Sequence, residues 1–246
     1  MAAQNAGRCA IAVMAKAPRA GKVKTRLSPP LSPDEAMQMS AAFLRDITEN
    51  IQAAAQTAPI AGFVAYAPAG FEHLFDGLLA GGTSLVLADG EMPVSPGVAG
   101  FGRCLLHATR ALFAQGFGSV CVLNSDSPTL PTASLAQAAR LLAEPGDHAV
   151  LGAAEDGGYY LLGMNAEHAA LYADIAWSTD QVAGQTRQAA ARLGLPMHEL
   201  PPWYDVDDRA ALSRLIARQS DDMGYPAPAT TACIMRLGLS NRLTAA

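Results

Sequence analysis

Charge is scarce in this 246-residue sequence. Asp, Glu, Lys and Arg make up only 16% of the residues, and 22 acidic residues against 17 basic ones give a formal net charge of −5. Proteins that bind nucleic acid broadly usually carry a basic surface, so this balance argues against a nucleic-acid partner. Half of the residues are apolar, too many for a disordered chain. The composition therefore predicts a compact, enzyme-like protein.

Cysteines are also few, and long apolar runs are absent. The four cysteines form no C-x-x-C pair and have no histidine at ligand spacing, so neither a disulfide framework nor a zinc site is predicted, and we expect reduced, buried thiols. No apolar stretch approaches the roughly 20 residues that a membrane-spanning helix needs. Residues 1–7 do not resemble a signal peptide. We therefore expect a cytoplasmic protein without a membrane span.

Short β-branched apolar runs alternate with longer segments of helical periodicity. This alternation is typical of β-α-β units around a mostly parallel sheet. Strands are predicted at 9–15, 60–66, 85–88, 119–124, 149–153, 159–164 and 197–200, and helices at 33–56, 101–115, 132–142, 181–193, 208–218 and 229–237. We expect one domain over residues 1–246, with a core at 9–218 and a C-terminal extension at 219–246.

The turn after the first predicted strand is unusually basic. Five cations lie within residues 16–26. Ligands of open parallel sheets bind beyond the carboxyl ends of the strands, and clustered Lys and Arg side chains suit phosphate oxygens. Gly21 would let the backbone approach a ligand, and Thr25 could donate its hydroxyl. The alternative is an ordinary solvated loop. We favour a phosphate-binding loop, although it is not a Walker A motif.

Carboxylates follow two later strands. Asp126 comes directly after a buried predicted strand, and Asp205, Asp207 and Asp208 precede a helix. One or two carboxylates together with substrate phosphates are what Mg²⁺ or Mn²⁺ requires. Asp208 is suited to cap its helix, whereas Asp205 or Asp207 could complete a metal site with Asp126. The alternative for Asp126 is a helix cap, a role that Thr132 could also fill.

Two further turns could contact a second substrate. The first is a glycine-rich bend that either faces a ligand or forms a plain hairpin, and it contains Glu155, Asp156, Gly157, Gly158 and Tyr159. The second opens a predicted helix with Trp177, Ser178 and Thr179. Here capping by Ser178 or Thr179 is as reasonable an interpretation as contact with a substrate.

Five motifs in this order resemble one family. They are A-K-A-P-x-x-G-x-V-K-T-R-L, S-D-S-P-x-L, A-E-D-G-G-Y-Y-L-L-G, W-S-T and Y-D-V-D, and over roughly residues 11–215 they are similar to the glycosyltransferase-A-like proteins of the DUF2064 family. That family is similar in turn to 2-phospholactate guanylyltransferases. The resemblance implies the Rossmann-like nucleotide-diphospho-sugar transferase (GT-A) fold, a three-layer α/β/α arrangement, together with a Mg²⁺ or Mn²⁺ cofactor.

The resemblance also assigns roles to individual residues. Lys16, Lys22, Lys24 and Arg26 match a loop that lies against nucleotide phosphates in the guanylyltransferase relatives, and Asp126 matches a metal-binding aspartate. The nucleotide- and phosphate-binding candidates are Ala15, Lys16, Ala17, Gly21, Lys22, Lys24, Thr25, Arg26, Arg103 and Ser125. The catalytic candidates are Asp126, Asp156 and Lys24, and the metal-ligand candidates are Asp126, Asp205 and Asp207. The acceptor-binding candidates are Glu155, Asp156, Gly157, Gly158, Tyr159, Trp177, Ser178 and Thr179.

Two positions depart from the family pattern. Asn124 stands where a D-x-D motif would have its other acid. This substitution favours Asp205 or Asp207 as the second metal ligand. Residues 100–104 keep only Gly102 and Arg103 of the pattern D-L-G-E-R-M and lack its acidic residue. If this segment shapes the pocket, the substrate differs from that of the relatives.

Three functions remain open from the sequence. A glycosyltransferase would move a sugar from a nucleotide-diphospho-sugar to a small-molecule acceptor, and we favour it by a small margin. A nucleotidyltransferase would instead use a nucleoside triphosphate and a phosphorylated or carboxylated small molecule, which suits the five-cation loop. The third is a catalytically silent nucleotide-binding protein. The sequence predicts no oligomeric state.

Overall fold

A seven-stranded sheet forms the centre of the protein, seen in a computed structural model that describes residues 5–93, 95–217 and 223–244. The strands are β1 (Cys9–Lys16), β2 (Ile60–Ala67), β3 (Ser84–Leu87), β4 (Ser119–Leu123), β5 (Ala149–Ala154), β6 (Tyr159–Met164) and β7 (Met197–Trp203). The helices are α1 (Pro33–Ala54), α2 (Phe101–Ala114), α3 (Thr132–Leu142), α4 (Val182–Leu193), α5 (Arg209–Ala217), α6 (Pro228–Arg236) and α7 (Leu239–Thr244). None of the described helices is long and apolar enough to cross a membrane.

The strand order is β3-β2-β1-β4-β6-β5-β7. Strand β6 runs antiparallel to both β4 and β5, and the other neighbouring strands are parallel. The predicted mostly parallel sheet with flanking helices is therefore confirmed. Because β6 is reversed, its first residue, Tyr159, lies at the edge of the sheet where the parallel strands end.

Helices cover both faces of the sheet and separate two apolar cores. One core lies under α1, α3 and the C-terminal helices, and the other lies under α2 and α4. Strand β1 is apolar and buried at seven successive positions because both of its faces are covered. At the start of α1, Ser32 and Glu35 form a capping box, with Pro33 in the first turn.

All of the predicted strands and helices are present, and the differences lie at their ends. Strand β7 continues to Trp203 through two prolines, where the prediction stopped at residue 200, because an edge strand tolerates residues that cannot donate to the ladder. Thr132 does not cap α3, since its hydroxyl donates to Asn50 Oδ1. Capping of α4 by Ser178 or Thr179 was also wrong, because that helix begins at Val182.

The C-terminal helices pack on the long helix α1. The predicted helix at 229–237 is present as α6, and a further helix, α7, follows after Gly238, whose φ of 62° ends α6. The predicted boundary between core and extension at residues 218 and 219 lies outside the described residues. The fully buried Asp46 carboxylate of α1 accepts the backbone N–H groups of Ala229 (2.9 Å) and Thr230 (2.7 Å) at the start of α6. One acidic side chain thus anchors the extension.

Replacing Asp46 with alanine should therefore destabilise the protein. The change leaves two N–H groups without their charged acceptor, which costs about 3 kcal/mol. Urea unfolding would measure the loss. Asp34→Ala, an exposed acid on the same helix, is the control and should cost only about 0.5 kcal/mol through its interaction with the helix dipole. Equal losses in the two variants would contradict the anchoring role.

Candidate active site

A cavity of about 400 Å³ opens where the parallel strands end. Its floor is formed by the ends of β1, β2 and β4, and its walls come from the turn after β1 and from the first turns of α2. Ten of the predicted site residues line it, namely Ala15, Lys16, Lys22, Lys24, Thr25, Arg26, Ser125, Asp126, Tyr159 and Asp207. Predicted residues from four separate segments of the sequence thus meet at the edge that the turn argument indicated.

Lys24 lies at the centre of the charged end of this cavity. Its ammonium nitrogen is 2.7 Å from Asp126 Oδ1 and 3.0 Å from Asp207 Oδ1, and it donates to the Val206 carbonyl oxygen at 2.8 Å. The Lys24 side chain is only 6% exposed, whereas the two carboxylates are 28% and 38% exposed. An otherwise costly buried ammonium is thus compensated by three oxygen acceptors.

The charges in this cluster shift one another's pKa values. Burial lowers the pKa of Lys24, but the Asp126 and Asp207 carboxylates outweigh burial, so the net shift is upward. Burial, reinforced by the Asp126 charge, raises the pKa of Asp207, although Lys24 opposes the shift. Burial and the neighbouring charges of Asp156 and Asp207 raise the pKa of Asp205 to about 6. The single positive charge of Lys24 therefore does not balance the negative charges of Asp126, Asp205 and Asp207.

Hydrogen bonds join the two loops that carry the carboxylates. The Val206 N–H donates to the Asp126 carbonyl at 2.8 Å, and the Ser127 hydroxyl donates to the Tyr204 carbonyl at 3.0 Å. Asn124, at the expected D-x-D position, accepts the Asp126 N–H through Oδ1 and donates to the Ser127 hydroxyl, so it shapes the turn. This network holds Asp207 rather than Asp205 beside Asp126 and Lys24.

The remaining phosphate-binding candidates differ in their surroundings. The Arg26 guanidinium is 71% exposed and lies 4.0 Å from Asp207 Oδ2, which leaves it available to a ligand. Ala17 and Gly21 belong to the same loop but do not line the cavity. Arg103 donates to the Gly90 carbonyl at 3.1 and 2.9 Å and thereby fixes the loop before α2, outside the cavity.

An aromatic cluster borders the apolar end of the cavity. Phe101, which is 48% exposed, and Trp177 have ring centroids 5.8 Å apart in an edge-to-face arrangement, and Tyr159 and Trp177 lie 6.5 Å apart. The buried Tyr159 hydroxyl has no hydrogen-bond partner among the described residues. Because Phe101 and Tyr159 line the cavity, this cluster is the second feature that a ligand would meet.

Apart from Tyr159, the glycine-rich bend lies at the same edge but outside the cavity lining. The Glu155 carboxylate accepts hydrogen bonds from both terminal nitrogens of Arg214. Asp156 Oδ1 accepts a hydrogen bond from the Gly158 N–H at 2.8 Å. Gly157 has a φ of 91°, and a Cβ there would meet the Asp180 carbonyl oxygen at 2.2 Å, so only glycine fits. Local contacts therefore account for Glu155, Asp156 and Gly157 in the bend without a ligand.

Ser178 and Thr179 also lie outside the cavity lining. Ser178 has a left-handed φ of 65°, and the Thr179 hydroxyl donates to the Ala176 carbonyl at 2.7 Å. Together they form the turn that leads from Trp177 to α4. Their contact with an acceptor stays a prediction.

The donor set suits a hard divalent cation. Within the described ranges, no group of three His, Cys, Asp or Glu side chains is arranged to hold a metal. Two carboxylates and one carbonyl nevertheless surround the Lys24 ammonium. Mg²⁺ usually takes one or two carboxylates and completes its shell with water and substrate phosphates, so Asp126 and Asp207 fit such an ion.

Several residues that line the cavity were not predicted. They are Met14, Pro18, Val23, Ser40, Leu44, Ala65, Ala67, Ala88, Phe101, Cys104, Leu105, Val122, Leu123 and Asn124. The ends of β2 and β3 could have been found by the same strand-end argument that found Asp126. Ser40 and Leu44 lie inside α1 and carry no sequence signal of their own. Cys104 also corrects the expectation of four buried thiols, because it is only partly buried.

Solved structures share this fold. A structure from Desulfovibrio desulfuricans G20, provisionally named a nucleotide-diphospho-sugar transferase, matches with a TM-score of 0.75 at 24% identity, over 94% of this chain and 96% of that chain. CMP:2-keto-3-deoxy-manno-octonic acid synthetase with CTP matches with a TM-score of 0.53 at 11% identity, over 85% and 96%. A cytidylyltransferase from Leptospira borgpetersenii matches with a TM-score of 0.50 at 11% identity, over 96% and 95%. The chain thus has the nucleotide-diphospho-sugar transferase fold.

The sequence itself identifies the family. Residues 50–179 match the model of DUF2064, described as an uncharacterized protein conserved in bacteria. The chain belongs to this family. The comparison with curated proteins gives no match.

Gly102 in the first turn of α2 allows the aromatic cluster to pack. A Cβ at this position would meet the Tyr172 carbonyl oxygen at 2.9 Å and the Trp177 ring at 3.0 Å. Gly102→Ala should therefore destabilise the protein by about 2 kcal/mol and alter Trp177 fluorescence, because the ring must move. In the control Gly184→Ala, an exposed helix position with no atom within 4 Å, stability should rise by about 0.5 kcal/mol. A stabilised Gly102→Ala variant would refute this packing argument.

Asp205 gives a pH-dependent stability in the metal-free protein. Its pKa of about 6 exceeds the ordinary value of 3.8, so the folded protein holds a proton that the unfolded chain has released between these pH values. The contribution of this group to stability is therefore full below the lower value and is lost as pH rises through the higher one. Asp205→Asn should raise the melting temperature at about pH 8 and leave it unchanged near pH 4. An equal rise in melting temperature at both pH values would show that the Asp205 carboxyl does not cause the pH dependence.

Proposed function

We propose that this chain is a divalent-metal-dependent transferase that uses a nucleotide substrate. The observation that carries the proposal is the charged end of the cavity, where Lys24, Asp126 and Asp207 lie beside the exposed Arg26. Phosphates and a hard cation are the ligands that such a set of cations and carboxylates would bind together. The names of structures with this fold, which include a CTP complex, support a nucleotide as the ligand.

The charged end of the cavity would bind both the phosphates and the metal ion. Lys16, Lys22, Thr25 and Arg26 would hold the phosphates, and Asp126 and Asp207 would hold Mg²⁺ or Mn²⁺. When bound, the cation would offset the negative charge that develops on the leaving phosphate oxygen. The arrangement would act mainly by positioning and electrostatics, as phosphoryl-group chemistry generally does.

The reaction we favour is transfer of a sugar from a nucleotide-diphospho-sugar to a small-molecule acceptor. Its support is the structure that aligns with 94% of this chain and is provisionally named as such a transferase. We place the acceptor near Tyr159 and Trp177, whose rings can pack on a sugar face or another flat apolar group. Asp156, exposed at the same edge of the sheet, is our candidate to take the acceptor's proton.

Nucleotidyl transfer is the second candidate. Four cations of the basic loop line one cavity, a set that suits the phosphates of a nucleoside triphosphate. Structures named as a cytidylyltransferase and as a CMP-sugar-acid synthetase share the fold. This reaction would join the nucleotide to a phosphorylated or carboxylated small molecule and release pyrophosphate.

The test is a thermal-shift panel of nucleoside triphosphates and nucleotide-diphospho-sugars, each with Mg²⁺, with Mn²⁺ and with EDTA. A ligand that binds only the folded protein raises its stability, by about 2.7 kcal/mol at 100 times its Kd. Metal-dependent stabilisation by one nucleotide-sugar would support sugar transfer and identify the donor. Stabilisation by a triphosphate alone would favour nucleotidyl transfer. Binding without turnover across acceptors would favour a silent binding protein, and no binding at all would refute the proposal.

Asp126→Asn should lose metal-dependent nucleotide binding while the protein stays folded. The change keeps the shape of the side chain but removes one charge from the cation's ligands, and we expect affinity for the metal–nucleotide complex to fall about 100-fold. Isothermal titration calorimetry measures the change. Asp76→Asn, at an exposed position that does not line the cavity, is the control and should bind as the wild type does. Unchanged affinity in Asp126→Asn would exclude this metal site.

A further inference from the structure

The Lys24 ammonium lies in an oxygen site of the kind that a metal ion would use. Its three neighbours, Asp126 Oδ1, Asp207 Oδ1 and the Val206 carbonyl oxygen, lie at 2.7, 3.0 and 2.8 Å. An ammonium group has three protons to donate, so these oxygens complete its hydrogen bonding. The same two carboxylates are the ones that fit the divalent cation of the proposed function.

Two cations cannot share these oxygens. Mg²⁺ requires oxygen ligands at about 2.1 Å, and an ammonium held at hydrogen-bond distance from the same atoms would repel it at very short range. A cation that binds Asp126 Oδ1 and Asp207 Oδ1 must therefore first displace the Lys24 side chain.

We infer that Lys24 and the divalent cation occupy this one oxygen site in turn, the ammonium filling it in the metal-free protein and leaving it when the cation binds. The inference rests on the proposed function for the identity of the second cation. It gives Lys24 a role beyond phosphate binding, because the ammonium keeps the two carboxylates in position until the metal arrives.

The backbone at Lys24 is consistent with a residue held in place by its side chain. Lys24 has a left-handed conformation, with φ 49° and ψ 38°, which costs a residue other than glycine about 1 kcal/mol. The side chain also passes the Phe43 ring, with the ammonium 5.1 Å from the ring centroid. Leaving the oxygen site removes the contacts that maintain this conformation.

The displaced ammonium has a destination in the same cavity. Lys24 lines it together with Lys16, Lys22 and Arg26, the cations that we assign to the phosphates. A bound nucleotide therefore gives Lys24 new anionic partners at the moment when it loses Asp126 and Asp207. Metal and nucleotide should accordingly bind cooperatively, with the metal alone binding weakly.

Direct Mn²⁺ binding in the absence of nucleotide tests the exchange. Electron paramagnetic resonance of free Mn²⁺ gives the Kd for the wild type, for Lys24→Met and for Lys22→Met. Lys24→Met empties the oxygen site at nearly the same side-chain length, and Mn²⁺ should bind about tenfold or more tightly because its competitor is gone. Lys22→Met removes the same charge from the same exposed loop but vacates no carboxylate, so its Kd should stay within about twofold of the wild type.

A second measurement uses the wild type alone, because Lys24→Met leaves two carboxylates unpaired and could unfold. Acetic anhydride labelling followed by mass spectrometry reports the accessibility of each lysine. Lys24, 6% exposed in the metal-free protein, should label slowly, and saturating Mn²⁺ should accelerate its labelling several-fold while Lys22 stays unchanged.

The outcomes separate the inference from the function it rests on. Equal Mn²⁺ affinity in the wild type and in folded Lys24→Met, or Lys24 labelling that bound Mn²⁺ does not change, would overturn the exchange and leave a metal-dependent transferase intact. Tighter binding to Lys24→Met would support the exchange even if the nucleotide remains unknown. Absence of Mn²⁺ binding in every variant, with and without nucleotide, would overturn both.

Discussion

The contact of one buried ammonium with two carboxylates organises this end of the protein. Lys24 comes from the turn after the first strand, Asp126 from the turn after β4 and Asp207 from the turn after the last strand. Each group alone would be costly to bury, and each becomes tolerable because the other two are present. The hydrogen bonds between the loops at 124–129 and 203–207 serve the same arrangement, since they fix the distance between the two acids.

The strand-end argument explains why so much of the site could be predicted. Parallel strands end at one edge of the sheet, so polar residues that follow different strands are brought together whatever their separation in sequence. This reasoning located the basic loop, Asp126 and the D-V-D segment. It could not choose between Asp205 and Asp207, because the choice depends on which way each side chain turns in an irregular loop. Nor could it foresee that Lys24 would bind the carboxylates directly.

The fold could be predicted to a similar extent, and the errors at the ends of helices and strands have physical causes. Hydrophobic periodicity located the seven strands and six of the seven described helices. Helix ends depended on tertiary partners, as at Thr132, whose hydroxyl bonds to Asn50 on α1 instead of to its own helix. The prolines at 201 and 202 hid the second half of β7, since sequence alone does not reveal that this strand lies at the edge of the sheet.

The order of the strands has a consequence for how the chain folds. Strand β1 is near the N-terminus, yet it pairs with β4 about halfway along the sequence, and Lys24 reaches its partners Val206 and Asp207 across separations of 182 and 183 residues. Contacts between such distant segments form slowly, because a long loop must close before they give any stabilisation. The charged end of the cavity therefore joins segments from the two ends of the core sequence, and ligand binding there would report that the whole sheet has been completed.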